Sequence, residues 1–247
     1  MKRIALITVL AVSLPVLADE EHEHFDISPY LGGGKVQVDG LSHEGNLNPN
    51  QRVFELELGL VGGLVFAPDP GFSRDNATAI DPLGNIVNAN GTGLRPTAGD
   101  AVNIRLTRDL LKWNGSGFGS VAPGVTLNLQ MNYPGSTLTA GTGSTTSTGV
   151  SQIPWVGISS DVIHTHAQSF LNDSAGTPAD GVYLLSMQLE STIDGVLSSD
   201  ELFVVYNWNL TEADHEAAVE WVEANYVPEP ASLGLLGLGS LLLRRRR

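Results

Sequence analysis

The chain has 247 residues, 42% of them hydrophobic, with 13 Lys+Arg against 27 Asp+Glu and a net charge of −14. That apolar content suits a folded core, and the acidic balance excludes a nucleic-acid partner, whose counterion release requires a basic face. The absence of cysteine excludes disulfides, thiolate metal centres and thiol catalysis, so any metal must be held by histidines and carboxylates.

Met1-Lys2-Arg3 precedes an apolar run from Ile4 to Leu17, and Ala18 stands before the acidic start at Asp19. A charged n-region, an h-region and a small residue at the cut define a secretory signal peptide over residues 1–18. Export follows from it. Between Asp19 and Val227 the chain carries 7 basic and 26 acidic residues, a net −19, so the exported body is more acidic than the whole.

Residues 19–210 predict an all-β, antiparallel sandwich or jelly-roll-like single domain. Lys35 to Asp39 opens the series, and Phe54, Leu56, Leu58 and Leu60 alternate with Val53, Glu55, Glu57 and Gly59. Val102, Ile104 and Leu106 repeat the pattern, as do Val125, Leu127, Leu129 and Met131. Each run is a strand with one wet face. Val156 to Phe170, Val182 to Glu190 and Leu202 to Trp208 add three more, the last apolar on both faces and therefore central. Turn pairs such as Asp39-Gly40, Pro123-Gly124 and Asp180-Gly181 separate them. Pro68 to Gly99 and Gly135 to Ser151 are poor in core residues and read as long surface loops, and Gly115 to Gly119 as a hairpin loop.

One helix is expected over 211–226, packed on the sandwich, with Thr211 as N-cap and Asp214 three residues on. Its apolar stripe is read as Ala217, Ala218, Trp221, Val222 and Ala224 or Asn225, which leaves His215 facing solvent and Trp221 packing. Residues 227–247 follow: Pro228-Glu229-Pro230, an apolar segment from Ala231 to Leu243, and Arg244, Arg245, Arg246 and Arg247. Those 13 apolar residues would span about 20 Å as a helix, short of a hydrocarbon core of about 30 Å. The terminal arginines act as a membrane stop that stays cytoplasmic.

Pro228-Glu229-Pro230, a Gly/Leu-rich apolar segment and the arginine cluster resemble the PEP-CTERM sorting signal of Gram-negative bacteria that produce exopolysaccharide. The resemblance implies recognition by a membrane exosortase, transient anchoring in the inner membrane, and delivery to the cell surface or extracellular matrix.

Six histidines carry the remaining chemistry, at His22, His24, His43, His164, His166 and His215. On a strand, His164 and His166 point to the same face and can converge on one ion, with nitrogens about 2.0–2.1 Å from it. Further ligands would come from His24, His43 or a carboxylate such as Asp26, Glu44 or Asp161. The alternative reading leaves these histidines bonded to carbonyls or exposed, with no metal role. His24-Phe25-Asp26, Gly34-Lys35-Val36, His164-Thr165-His166 and Asp180-Gly181-Val182-Tyr183 are similar to segments of choice-of-anchor M and related surface-anchored proteins. That resemblance implies a zinc-associated role for His24, His164 and His166, with His43 as a further candidate, and the expected site is a zinc or copper centre of His24, His43, His164 and His166. Ala167-Gln168 departs from the family, which has Trp or Asn after His-x-His.

The expected function is therefore a non-enzymatic, exosortase-sorted surface or matrix protein with a zinc or copper site. A competing reading is a polysaccharide- or matrix-binding module with structural histidines, using Trp113 and Trp155 as stacking faces while Trp208 fills the core. A cupin-like metal enzyme is less well supported, since Phe170 and Leu171 stand where its glutamate would fall. No Gly-x-Ser-x-Gly elbow, phosphate loop or His-Glu-x-x-His motif is present.

Overall fold

Alternation of apolar and polar side chains sets two faces on each strand, and burial of the apolar face decides which sheets meet. The structure, a computed structural model, describes residues 25–42, 44–74, 78–80, 86–88, 101–131, 136–143, 145–148, 152–154 and 163–227. The expected signal peptide, His22, His24, His43, Trp155, Asp161 and sorting residues 228–247 lie outside the described residues.

The first strands are β1 (Phe25–Gly32), β2 (Lys35–Ser42), β3 (Leu47–Asn48), β4 (Val53–Glu57), β5 (Gly59–Val61), β6 (Leu64–Ala67) and β7 (Gly71–Arg74). They are followed by β8 (Thr78–Ile80), β9 (Ile86–Asn88), β10 (Ala101–Leu106), β11 (Leu111–Trp113), β12 (Phe118–Ser120) and β13 (Val125–Met131). The last are β14 (Ser136–Ala140), β15 (Thr145–Thr148), β16 (Gln152–Pro154), β17 (Ile163–Asp173), β18 (Gly181–Ser191) and β19 (Leu202–Trp208), before the helix α1 (Glu212–Tyr226).

A larger sheet runs β15-β14-β13-β17-β7-β1-β2-β3, with the β5/β6 hairpin also joined to β17. A smaller sheet runs β12-β11-β18-β10-β16, with β19 beside β18 and β4 beside β19. Ile27, Phe72, Leu127, Leu129 and Leu171 of the larger sheet share one buried cluster with Phe54, Ile104, Tyr183, Leu185, Val204 and Tyr206 of the smaller. On the opposite face of the smaller sheet, Val182, Leu184, Phe203 and Val205 pack against Ala218, Val219 and Val222 of α1. The layers are sheet, sheet and helix. Every residue of β19 is buried, as expected of a strand with neighbours on both edges and layers on both faces. Trp208 fills the core, its Nε1 donating to the Pro178 carbonyl at 3.2 Å.

The all-β body with one C-terminal helix matches the sequence reading, but four details differ. The pairing is not wholly antiparallel, because β1 lies parallel to β7 through Ile27 and Phe72, and β4 parallel to β19 over five residue pairs from Val53 with Phe203 to Glu57 with Asn207. Strands so distant in sequence reach each other by long crossovers, which free the pairing from hairpin geometry. The first expected loop contains β7 at the centre of the larger sheet, with Phe72 buried. The second contains β14, whose Leu138 and Ala140 are buried, and β15. Helix α1 buries His215, Ala218, Val219 and Val222, a stripe rotated from the expected one, so His215 faces the sheet and not solvent. Its cap is the expected one: Thr211 Oγ1 accepts from the Asp214 amide at 3.3 Å. The hairpin at Gly115 to Gly119 is also present, closing β11 and β12, with Gly115 at a φ of 92°.

Candidate metal centre on the larger sheet

The central strand β17 has two contrasting faces. Ala167, Ser169 and Leu171 turn into the core, so alternation places His164 and His166 together on the outer face. The N-terminal half of β17 pairs with β7, setting His164 opposite Ser73 and His166 opposite Gly71. Strand β1 lies on the far side of β7, and Ile27 points inward against Phe72, which puts Asp26 on the outer face beside the two histidines.

Asp26, His164 and His166 each present a donor atom, all within 4.8 Å of one another. His164 Nε2 lies 3.4 Å from Asp26 Oδ2 and 2.8 Å from His166 Nε2. Asp26 is 5% exposed although it is on the outer face, and the space it occupies exists because Gly71 has no side chain. The gradient from buried carboxylate to half-exposed His164 leaves one side of the group open to solvent.

A second carboxylate orients the group. His166 Nδ1 donates to Asp69 Oδ1 at 2.8 Å, because a carboxylate only accepts. In the neutral ring that bond leaves the lone pair on Nε2, the atom facing His164. This is the arrangement by which a carboxylate behind an imidazole fixes its tautomer and raises its basicity toward a metal. Two nitrogens bound to one tetrahedral ion at about 2.0–2.1 Å sit about 3.3 Å apart, so an ion here requires only a small opening of the two rings.

Asp69 is itself fixed by the core. Its carbonyl accepts from Ser169 Oγ at 2.6 Å, and Ser169 Oγ is bonded to the Tyr206 hydroxyl at 2.9 Å. The Pro70 carbonyl accepts from the Ala167 amide at 3.0 Å. Burial pushes the Tyr206 phenol well above the ordinary tyrosine range, so it stays a neutral donor.

Of the sequence-nominated residues, His164 and His166 come together, whereas His24 and His43 lie outside the described residues. Asp26 is one of several carboxylates that the sequence offers as further ligands. Asp69 carries no such signal in the sequence, because it sits in a stretch that reads as loop and lies 97 residues from its partner His166.

His215 forms a separate group. It is 3% exposed, with Nδ1 3.0 Å from Glu57 Oε1 and Nε2 3.2 Å from the Val205 carbonyl. Both neighbours are acceptors, so a ring that holds both contacts carries both protons. Burial pushes its pKa down, but the Glu57 carboxylate and the Val205 carbonyl outweigh that and hold it above the ordinary histidine value.

Residues 227–247 match the family model described as the PEP-CTERM protein-sorting motif. The motif implies recognition by exosortase during sorting, with export and a C-terminal membrane-anchoring signal. No curated protein and no solved structure matches the chain. Among the described residues no helix is long and apolar enough to cross a membrane, and the apolar segment 231–243 lies outside them.

Proposed function

We propose that the exported body is a non-enzymatic cell-surface or matrix protein that binds a divalent transition-metal ion, Zn2+ or Cu2+, through Asp26, His164 and His166. The observation that carries this reading is the convergence of three donors from β1 and β17 across a glycine, with Asp69 hydrogen-bonded to the Nδ1 of His166. Two imidazoles and one carboxylate suit zinc or copper better than calcium or magnesium, which prefer all-oxygen shells. Three protein ligands with an open side leave a position for water or for a group from a neighbouring molecule. A binding role agrees with the lack of nucleophile and phosphate motifs in the sequence.

The polysaccharide-binding alternative is less well supported by Trp113, which is partly buried and packs with Phe118 and Trp221 at ring centroids 5.3 and 6.2 Å away. Calorimetric titration of the full-length chain with zinc and with copper tests the metal reading. His164→Ala, His166→Ala and Asp26→Asn should each weaken one site by about tenfold or more. Binding that is absent, or is unchanged by all three substitutions, would overturn the reading.

A further inference from the structure

The His215 group has the chemistry of a second metal site, and it joins helix α1 to strand β4. Glu57 stands on β4, while Glu212 and His215 are three residues apart on the first turns of α1, on one helix face. Their donor atoms lie within 4.8 Å of one another. The His215 ring is aimed by the sheet: Nε2 is engaged by the Val205 carbonyl on β19, which leaves Nδ1 as the atom toward Glu57. A backbone carbonyl behind an imidazole is a recurrent support for a metal-ligating histidine. Access is provided by a cavity of about 420 Å3 whose lining includes Glu55, Glu57, Glu212, His215 and Glu223. Glu57 is 45% exposed and can adjust its carboxylate to an ion.

We infer that Glu57, Glu212 and His215 form a second divalent-metal site, suited to Zn2+, that clamps the N-terminal end of α1 to the edge strand β4. On binding, the ion takes the Nδ1 lone pair of His215 and the proton held there leaves to solvent, while Nε2–H keeps its bond to Val205. The two glutamates neutralise the ion. The clamp is distinct from the Asp26 group, which lies on the outer face of the other sheet.

The test uses the full-length chain carrying His164→Ala and His166→Ala, which removes the first site. Zinc titration of this variant should show one remaining equivalent, and hydrogen exchange at the amides of residues 212–226 should slow when zinc is added. Adding Glu212→Gln should weaken that equivalent by about tenfold or more. Glu212→Gln replaces a carboxylate at the start of the helix and retains its shape, so an unchanged circular dichroism spectrum separates loss of a ligand from loss of fold. No zinc bound by the double-histidine variant, an affinity indifferent to Glu212→Gln, or unaltered helix exchange would overturn the proposal. The reciprocal chain, Glu57→Gln with Glu212→Gln, keeps the first site intact and reports on it separately.

Discussion

Asp26 and Gly71 are matched across neighbouring strands: a Cβ at Gly71 would lie 1.9 Å from Asp26 Oδ1. Three strands contribute to this relationship, since Gly71 pairs with His166 and thus stands between the carboxylate and the imidazole. The backbone at Gly71 is not in the left-handed region, so the requirement for glycine is one of space and not of φ.

Gly71→Ala should therefore expel the Asp26 carboxylate from its recess. The expected result is a metal affinity lower by about tenfold or more, together with a stability loss of about 1–3 kcal/mol from overpacking. Zinc calorimetry and urea unfolding measure the two effects. If affinity and stability both stay at wild-type values, Asp26 does not depend on the missing side chain.

Asp69→Ala leaves all three candidate ligands in place and removes only the acceptor behind His166. Metal affinity should fall by about 10–100-fold, the range found when supporting groups behind ligands are removed. Thermal stability without metal should change little, because Asp69 is partly exposed. Affinity equal to wild type in the zinc titration would show that His166 needs no such support.

Tyr206→Phe probes the connection between core and site. The Tyr206 hydroxyl is buried and bonds to Ser169, which donates to the Asp69 carbonyl. Losing that hydroxyl should cost about 0.5–1.5 kcal/mol in denaturant unfolding. Ser169 keeps its bond to Asp69, so metal affinity should move much less than in Asp69→Ala. A larger affinity loss than that variant shows would mean that the phenol, and not the serine, fixes the Asp69 turn.

The parts of this architecture legible in the sequence are those where one face of a strand is uniformly apolar. Val125 to Met131 and Leu202 to Trp208 coincide with β13 and β19 because alternation, or its absence on a doubly covered strand, directly reports burial. Strand β7 escaped because it has four residues, of which only Phe72 is a large apolar side chain, and Pro70 precedes it. Strand β14 escaped because its outward positions are threonines in a Gly/Ser/Thr-rich stretch. His164 and His166 were legible as a pair from their spacing, but Asp69 and Gly71 depend on pairing between distant strands. For His215 the signal is in the sequence: positions 215, 218, 219 and 222 follow helical periodicity, with a histidine in the first place.

Thr211→Ala removes the side-chain acceptor for the Asp214 amide at the start of α1. The helix lies over an apolar cluster and cannot detach without exposing it, so the change should appear as a stability loss of about 1 kcal/mol. Urea unfolding of the full-length chain measures it. A variant with an unchanged midpoint would show that the helix end is held by its packing alone.

Glu201 supplies the clearest dependence on acid. Burial pushes its pKa up, but hydrogen bonds from Arg108 and Thr107 outweigh that and hold it below its ordinary value of 4.5. Arg108 reaches both carboxylate oxygens, at 2.9 and 2.6 Å, and Thr107 Oγ1 donates at 2.5 Å. The same guanidinium lies 4.4 Å from the centre of the Tyr226 ring, so this ion pair also supports the end of α1 that leads into the sorting motif. A carboxylate with a lowered folded pKa contributes stability that is complete above its unfolded pKa and lost as pH falls through the folded value. Wild type should therefore melt at a higher temperature than Glu201→Gln at pH 7, and the gap should close as pH drops below about 4. Melting temperatures of both chains measured from pH 7 to pH 3 give the comparison. A gap that persists undiminished at pH 3 would mean that the glutamate acts through packing and not through its charge.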